Sequence, residues 1–308
     1  MLALSVVVPA TDRPPTLPAC LAAIERAPGN GEVVVVDGPP ELSVSAARNA
    51  GARRATGDVL VFVDSDVVIH SDAFTRIKDV FAAHPELTAV FGSYDDAPPA
   101  GGPVAAFRNL LHHHVHQRAG GPAETFWSGL GAVRRDAFLA VGGFDAERFP
   151  HPSVEDIDLG VRLAANGARI LLDPAIQGTH LKEWTLRSMV CTDFARRGVP
   201  WVALQLRSGR VSTALNLGWR HRLSAAACTL ATLAVLAHRP RAAAASVLVL
   251  LGLNREFYAL LARRRGLGEA ALGVGLHAVH HLTAVATLPA GVLAYVRDRH
   301  RTTAPEWR

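Results

Sequence analysis

Apolar and polar positions alternate along the first two-thirds of the chain in a way that predicts strand, helix, strand, helix, strand. Leu4 to Val8 is an apolar run broken only by Ser5 and closed by Pro9, and so a first strand. Leu17, Leu21 and Ile24 recur at helical spacing, which predicts a helix over 17–26 after the Asp12-Arg13-Pro14-Pro15 loop. Glu32 to Asp37 is a second run expected to be buried, and Ser43 to Ala55 a second helix that exits at Gly57. The run Asp58-Val59-Leu60-Val61-Phe62-Val63-Asp64-Ser65-Asp66 predicts a third strand covered on both faces, with two carboxylates at its carboxyl end. A helix over 71–84 with Ser71 as its N-cap, a strand over 88–93 and a helix over 104–118 follow. A glycine-punctuated strand over 124–134 and a short helix over 136–141 come next, then a helix opening at Val154-Glu155-Asp156. Ala168 to Leu172 predicts a strand, and Gln177 to His180 a further one. This alternation argues an α/β fold with a mainly parallel, Rossmann-like sheet flanked by helices. No Gly-x-Gly-x-x-Gly follows the first strand, which argues against a dinucleotide turn.

The last third changes character. Leu223 to Ala237 and Ala242 to Leu253 are nearly uncharged, parted by His238-Arg239-Pro240-Arg241, and each is shorter than the ~20 residues of a spanning helix. They predict a hairpin with extended ends, or a re-entrant pair, with the second helix continuing through Tyr258 to Arg263-Arg264-Arg265. A third apolar helix, 269–296, is interrupted by His277, His280 and His281 and ends at Arg297-Asp298-Arg299-His300-Arg301. Trp184 to Arg207 mixes aromatic and basic residues in a manner suited to a membrane interface. The expected division is a catalytic domain over 1–215 and a helical, membrane-associated region over 216–308. The arginine clusters at 220–222 and 263–265 share one side if 223–254 is a hairpin, in line with the positive-inside tendency, and the third helix is then expected to lie in the interface.

Composition sharpens this picture only in its distribution. Of 308 residues, 49% are hydrophobic and 19% charged, with a net charge of +5 and a pI near 9.6. The arginines flank apolar stretches, which favours an anionic membrane surface over nucleic acid. Zinc-finger spacing and aromatic-interleaved basic strands are both missing, so no nucleic-acid partner is expected. Three distant cysteines, Cys20, Cys191 and Cys228, imply no disulfide framework and a cytoplasmic catalytic domain. The apolar N-terminus is too short for a signal peptide.

The candidate chemistry sits at Asp64-Ser65-Asp66. Ligands bind outside the carboxyl ends of strands in open α/β sheets. Two carboxylates held there repel each other, and a hard divalent cation relieves that repulsion and can hold a diphosphate on its open positions. His112 and His116, four residues apart, share a helix face, and a polar interface is the expected role.

The ordered set Leu4–Pro9, Glu32–Asp37, Ala47-Arg48-Asn49, Gly57–Asp66, Trp127–Arg135, Gly142–Asp145 and Glu155–Leu163 resembles family 2 glycosyltransferases of the GT-A fold, over nearly all of residues 4–185. The resemblance implies a nucleotide-sugar site drawn from Pro9, Asp37, Arg48, Asp64, Ser65, Asp66, Trp127 and Gly129. Asp66 would ligate Mg²⁺ or Mn²⁺, Asp64 would face the metal or the ribose, and His180 would complete the metal or diphosphate site. Asp37 would contact the base. Asp37-Gly38-Pro39-Pro40 stands where the family commonly has Asp-Asp-Gly, which leaves the nucleotide open, with a UDP-sugar expected. Arg48 would reach the diphosphate or base. Trp127 would stack on a sugar ring or pack in the core.

Asp156 matches the family's catalytic base, and its like-charged neighbours Glu155 and Asp158 raise its pKa; Glu155 is the second catalytic candidate. Arg196-Arg197-Gly198-Val199-Pro200-Trp201 lacks the Gln-x-x-Arg-Trp pattern of processive relatives, which implies transfer of a single sugar. The expected activity is an inverting, metal-dependent, hexosyltransferase-like transfer from a nucleotide-sugar to a lipid or membrane-resident acceptor, at the cell membrane and on its cytoplasmic side. A sugar-phosphate nucleotidyltransferase and an inactive nucleotide-sugar-binding membrane protein are the alternatives.

Overall fold

A computed structural model describes residues 2–98, 101–209 and 218–302, with side chains through Arg299. It divides into two compact units, residues 1–100 with 109–183 and residues 101–108 with 184–308. The expected boundary at 215/216 and the last residues of the arginine cluster at 297–301 lie outside what is described.

The N-terminal unit is an eight-stranded sheet with strand order β2-β1-β3-β7-β5-β8-β4, and β6 added beside β8. Its strands are β1 (Leu4–Pro9), β2 (Glu32–Val36), β3 (Val59–Val63), β4 (Val67–Ile69), β5 (Ala89–Tyr94), β6 (Gly121–Ala123), β7 (Leu130–Arg134) and β8 (Ile170–His180). β1 runs parallel to both β2 and β3, and β5 parallel to β8. β7 is antiparallel to β3 and β5, and β4 and β6 are antiparallel to β8. The sheet is thus mixed, with most strands pointing one way.

β1 and β3 are buried along their whole length because helices cover both faces, as their largely apolar runs require, with Ser5 the one polar residue between Leu4 and Val8. α1 (Leu17–Arg26) and α3 (Ala73–Ala83) pack Ile24, Phe74 and Ile77 into the core with Val6, Val8 and Val61. α2 (Val44–Arg54) is capped by Ser43, whose hydroxyl accepts from the Ala46 amide, and seats Gly51 directly against Val7.

Several expectations are corrected. β2 carries the same valine run as β1 but lies at the sheet edge, so Glu32 and Val33 are exposed. Asp72, not Ser71, occupies the N-cap position of α3. The stretch 124–134 holds only β7, after a separate β6. The two expected strands over 168–180 are one, β8, with the register shift against β5 falling between Phe91 and Ser93. α4 (Pro103–Arg118), α5 (Arg135–Ala140) and α6 (Glu155–Ala165) match their expected places.

The C-terminal unit is helical. α7 (Leu186–Cys191) runs through a π-helical segment, Thr192–Gly198, into α8 (Val199–Ser208). α9 (Trp219–Leu236) and α10 (Pro240–Leu253) form the hairpin, and α11 (Arg255–Arg265) follows. α11 does not continue α10: the chain bends by 73° between them at Asn254. α12 (Leu267–Thr302) is one helix through its three histidines, with Pro289 inside it. Its span Leu267–Arg299 is 33 residues and contains an 18-residue stretch of mean hydropathy 1.4. At about 1.5 Å per residue it exceeds the roughly 30 Å hydrocarbon core, so it is long and apolar enough to cross a membrane rather than only to lie on one. The pair α10–α11 passes the same test together despite its bend.

Candidate active site

β3 ends at Val63, and Asp64-Ser65-Asp66 form the turn into β4. The turn is pinned from two sides. Thr16 and Cys20 of α1 donate to the Ser65 and Asp64 carbonyls, at 3.0 and 3.5 Å. The Asp64 amide donates to the Gly129 carbonyl at 3.1 Å, which extends the β3–β7 ladder and brings the 127–129 stretch against the turn. Burial pushes the Cys20 thiol up to about 12, with Asp64 and Asp66 adding to it, so this cysteine is a packed neutral donor.

Asp64 faces inward. Its Oδ1 takes a 2.6 Å bond from Arg48 Nη2, and Arg48 Nη1 reaches Glu155 Oε1 at 3.0 Å. Arg48 is 3% exposed. Its guanidinium spans two carboxylates from distant parts of the chain. Burial pushes the Asp64 carboxyl above the usual carboxylate range, Arg48 pulls against that, and Asp66 adds to it.

Asp66 faces the other way. β4 pairs with β8 so that Val67 lies opposite His180, and this register sets His180 Nε2 3.4 Å from Asp66 Oδ2. The second ring nitrogen lies 2.7 Å from Asn109 Oδ1, while the Asn109 amide nitrogen donates to the His180 carbonyl. That exchange makes Nδ1 a donor and leaves Nε2 directed at Asp66, where it can donate to the carboxylate or, once deprotonated, share a cation with it. Tyr94 stacks on the His180 ring at 4.2 Å and 7°. Burial raises the Asp66 carboxyl, but His180 and then Lys182 outweigh it and hold the group below its ordinary value.

Asp66 Oδ2 and His180 Nε2 are hard and borderline donors that suit Mg²⁺ or Mn²⁺. Among the described residues, no cluster of three or more His, Cys, Asp and Glu side chains is arranged around a metal position. The donor set therefore fits a cation that takes its remaining ligands from a diphosphate and water.

At the start of α6, Glu155 and Asp156 divide. Glu155 is buried, with Oε1 on Arg48 and Oε2 accepting the Ser153 amide at 2.7 Å. Asp156 is half-buried, and its Oδ2 accepts the Ser128 amide at 3.2 Å. Burial and the adjacent Glu155 charge raise the Asp156 carboxyl to about 7, against the pull of Arg48 and two backbone amides.

Trp127 packs edge-on to Tyr94 and beside His112 and His116. His112 and His116 are thus part of a ring cluster rather than a polar interface, with His116 Nδ1 on the Gly92 carbonyl at 2.9 Å. Gly129 makes room for the Trp127 ring, since a Cβ there would lie 2.3 Å from it. Pro9 is buried at the end of β1. Asp37 is exposed at the end of β2, 3.5 Å from Arg13. Among the described residues, neither makes a polar contact with the Asp64–Asp66 turn. Asn109, Tyr94, Thr16, Cys20 and Ser128 belong to the site and were not singled out from sequence. Only the strand-end position of 127–129 signalled Ser128, and the others are brought in by pairings too distant to see.

The profile described as Glycosyltransferase like family 2 matches residues 3–194. No curated protein matches the chain in sequence. Among solved structures, the mannosyltransferase PcManGT from Pyrobaculum calidifontis, in complex with GDP-Man and Mn²⁺, superposes with a TM-score of 0.56 at 16% identity, over 97% of this chain and 88% of that one. GalNAc-T7 with UDP, GalNAc and Mn²⁺ gives a TM-score of 0.45 at 16% identity, over 63% of this chain and 48% of its own.

Proposed function

Because the chain belongs to the glycosyltransferase-like family 2 and is a glycosyltransferase of the GT-A fold, we propose that it moves one sugar, with inversion, from a nucleotide-sugar to a lipid or membrane-resident acceptor. The observation that carries this is the division of four carboxylates into two pairs by Arg48. One member of each pair, Asp64 and Glu155, is tied to the guanidinium, and the other, Asp66 and Asp156, is turned to the site.

In this reading Asp156 takes the proton of the acceptor hydroxyl as that oxygen attacks the anomeric carbon. A carboxyl near 7 is ionised in half the molecules at neutral pH and is a far stronger base than an ordinary aspartate. The Ser128 amide holds the accepting oxygen in place. Glu155 positions, through Arg48, and does not itself transfer the proton. A single base, with the neighbouring Glu155 tied to Arg48 and the Ser153 amide, supports direct displacement, hence inversion. Asp66 and His180 would hold the Mg²⁺ or Mn²⁺, which supplies Lewis-acid stabilisation of the departing diphosphate. Asp37 and Pro9 stand at the carboxyl edge of β2 and β1, where the nucleoside would lie. Trp127 supports the sugar subsite from within the ring cluster. The apolar helices support a membrane location, with the catalytic unit on the cytoplasmic side.

The test is a screen of UDP- and GDP-sugars for binding and turnover with and without Mn²⁺, on the full chain in lipid nanodiscs. Manganese-dependent binding of one donor class, with sugar transferred to extracted membrane lipid, is expected. Binding without any transfer or hydrolysis would leave the inactive alternative standing.

A further inference from the structure

Asn109 lies on α4, carries no charge and is 2% exposed. α4 turns three polar side chains, Asn109, His113 and His116, toward β5 and β8 at i, i+4 and i+7 spacing. His113 Nδ1 lies 2.9 Å from the Tyr94 carbonyl and His116 Nδ1 2.9 Å from the Gly92 carbonyl, so these two dock the helix on β5. Asn109 differs from them: it meets one residue, His180, at both its ring and its main chain.

The two contacts fix which way the amide points. A carbonyl can only accept, and the Asn109 amide nitrogen lies 3.4 Å from the His180 carbonyl, so the nitrogen must face it. The amide oxygen is thereby turned to His180 Nδ1, at 2.7 Å, and that oxygen too can only accept. Nδ1 therefore carries a proton. Of the two ring nitrogens, only Nε2 is left to give up its proton to a cation. It lies 3.4 Å from Asp66 Oδ2, longer than an ordinary hydrogen bond. Tyr94 holds the ring flat from one face, and His112 lies against Tyr94 in turn, each at 4.2 Å. The main chain keeps the pair in step, because the Leu181 amide donates to the Asp66 carbonyl at 2.8 Å, one position beyond the β4–β8 ladder.

We infer that Asn109 is the positioning residue that makes His180 a nitrogen ligand, and that it thereby gives the site its preference for Mn²⁺ over Mg²⁺. The inference rests on the reading in which Asp66 and His180 hold the cation. Mg²⁺ is held by oxygen ligands and water, whereas Mn²⁺ begins the series of divalent ions whose affinity for nitrogen rises. With no acceptor at position 109, the neutral ring keeps its proton on Nε2, where the Asp66 carboxylate accepts it. The lone pair then sits on Nδ1, away from the cation. Such a site offers oxygen alone, which suits Mg²⁺ as well as Mn²⁺. If Asn109 only packed α4 against the sheet, its removal would leave the preference where it is.

Pulsed electron paramagnetic resonance tests this on the full chain in neutral detergent, labelled with nitrogen-15 histidine and loaded with Mn²⁺ and either UDP or GDP. Competition by Mg²⁺ on the same samples gives the preference, and nucleotide affinity without metal reports an intact fold. A histidine nitrogen coupled to Mn²⁺ is expected in the wild-type protein and not in His180→Gln. Asn109→Leu loses that coupling and lowers Mn²⁺ affinity about 10–100-fold, with a smaller loss for Mg²⁺. Asn109→Ala removes the same acceptor without added bulk and should behave alike, which carries the test if the leucine variant does not fold. Asn109→Asp still accepts from Nδ1 and keeps the coupling. Coupling and preference retained without an acceptor at 109 overturn the inference, as does their loss in Asn109→Asp. Mn²⁺ that binds without histidine coupling, and is lost in Asp66→Ala, overturns the inference and leaves the metal reading in place. No Mn²⁺ bound with either nucleotide contradicts both.

Discussion

The two units handle apolar surface in opposite ways. In the N-terminal unit, Val6, Val61, Phe62 and Phe74 are fully buried, and among the described residues the large exposed apolar side chains are Val33 and Leu139. In the C-terminal unit, Trp219, Leu230, Leu233, Leu236, Leu248 and Leu267 are all more than half exposed, while Asp193, Asn254, His277 and His281 are buried. Burying apolar area is the main driving force of folding in water. The first unit obeys that rule, and at the carboxyl end of β3 Arg48 pairs the buried Glu155 and the partly buried Asp64. The second inverts it, which is the arrangement expected of helices whose outer solvent is lipid.

The largest effect that can break this comparison falls on Arg48. Arg48→Leu leaves the buried Glu155 and the partly buried Asp64 without their cation, and costs about 3–5 kcal/mol. The melting temperature of the catalytic unit, followed by hydrogen exchange of β1 and β3, reads it. An unchanged melt means the guanidinium is not the clamp described.

Gly51→Ala comes next. Its Cβ would lie 2.4 Å from Val7, so α2 must lift off β1, at about 1–3 kcal/mol. Because α2 carries Arg48, turnover falls with stability, and a loss of stability with full turnover would separate the two.

The pH profile is a subtler probe. Asp156 titrates near 7, and only its ionised form accepts a proton. The rate of transfer should rise with pH through about 7 and then level off, falling about tenfold per unit well below it. A plateau extending down to pH 5 contradicts the assignment.

Smallest of all should be Leu233→Ser in detergent, within about 0.5 kcal/mol, since that side chain is 56% exposed. The same change should weaken flotation with liposomes, because the leucine loses burial only when lipid is present. A large destabilisation in detergent would mean that α9 packs against protein, not lipid.

Much of this was legible in the chain. The helix over 17–26 falls on its expected residues, and Asp64-Ser65-Asp66 stands at the end of β3 because an apolar run flanked by carboxylates leaves little choice. An apolar run states that a strand is covered, not where it sits in the sheet, so the valines of β2 predict burial although β2 is an edge. His112 and His116 read as polar because a histidine's character depends on its neighbours, and Tyr94 and Trp127 reach them only through the fold. Arg48 was visible as a candidate, but its two carboxylates lie 16 and 107 residues away. The Asn109–His180 exchange, 71 residues apart, leaves no periodic trace at all.

The central claim is that Asp156 takes the proton while Glu155 only positions. Single-turnover transfer by Asp156→Asn, with donor affinity measured on the same protein, tests it most directly. The account predicts a loss of about 10²–10⁴ in the chemical step with donor affinity unchanged, and a smaller loss for Glu155→Gln. Near wild-type transfer by Asp156→Asn at neutral pH, or a greater loss in Glu155→Gln with its fold intact, would contradict it.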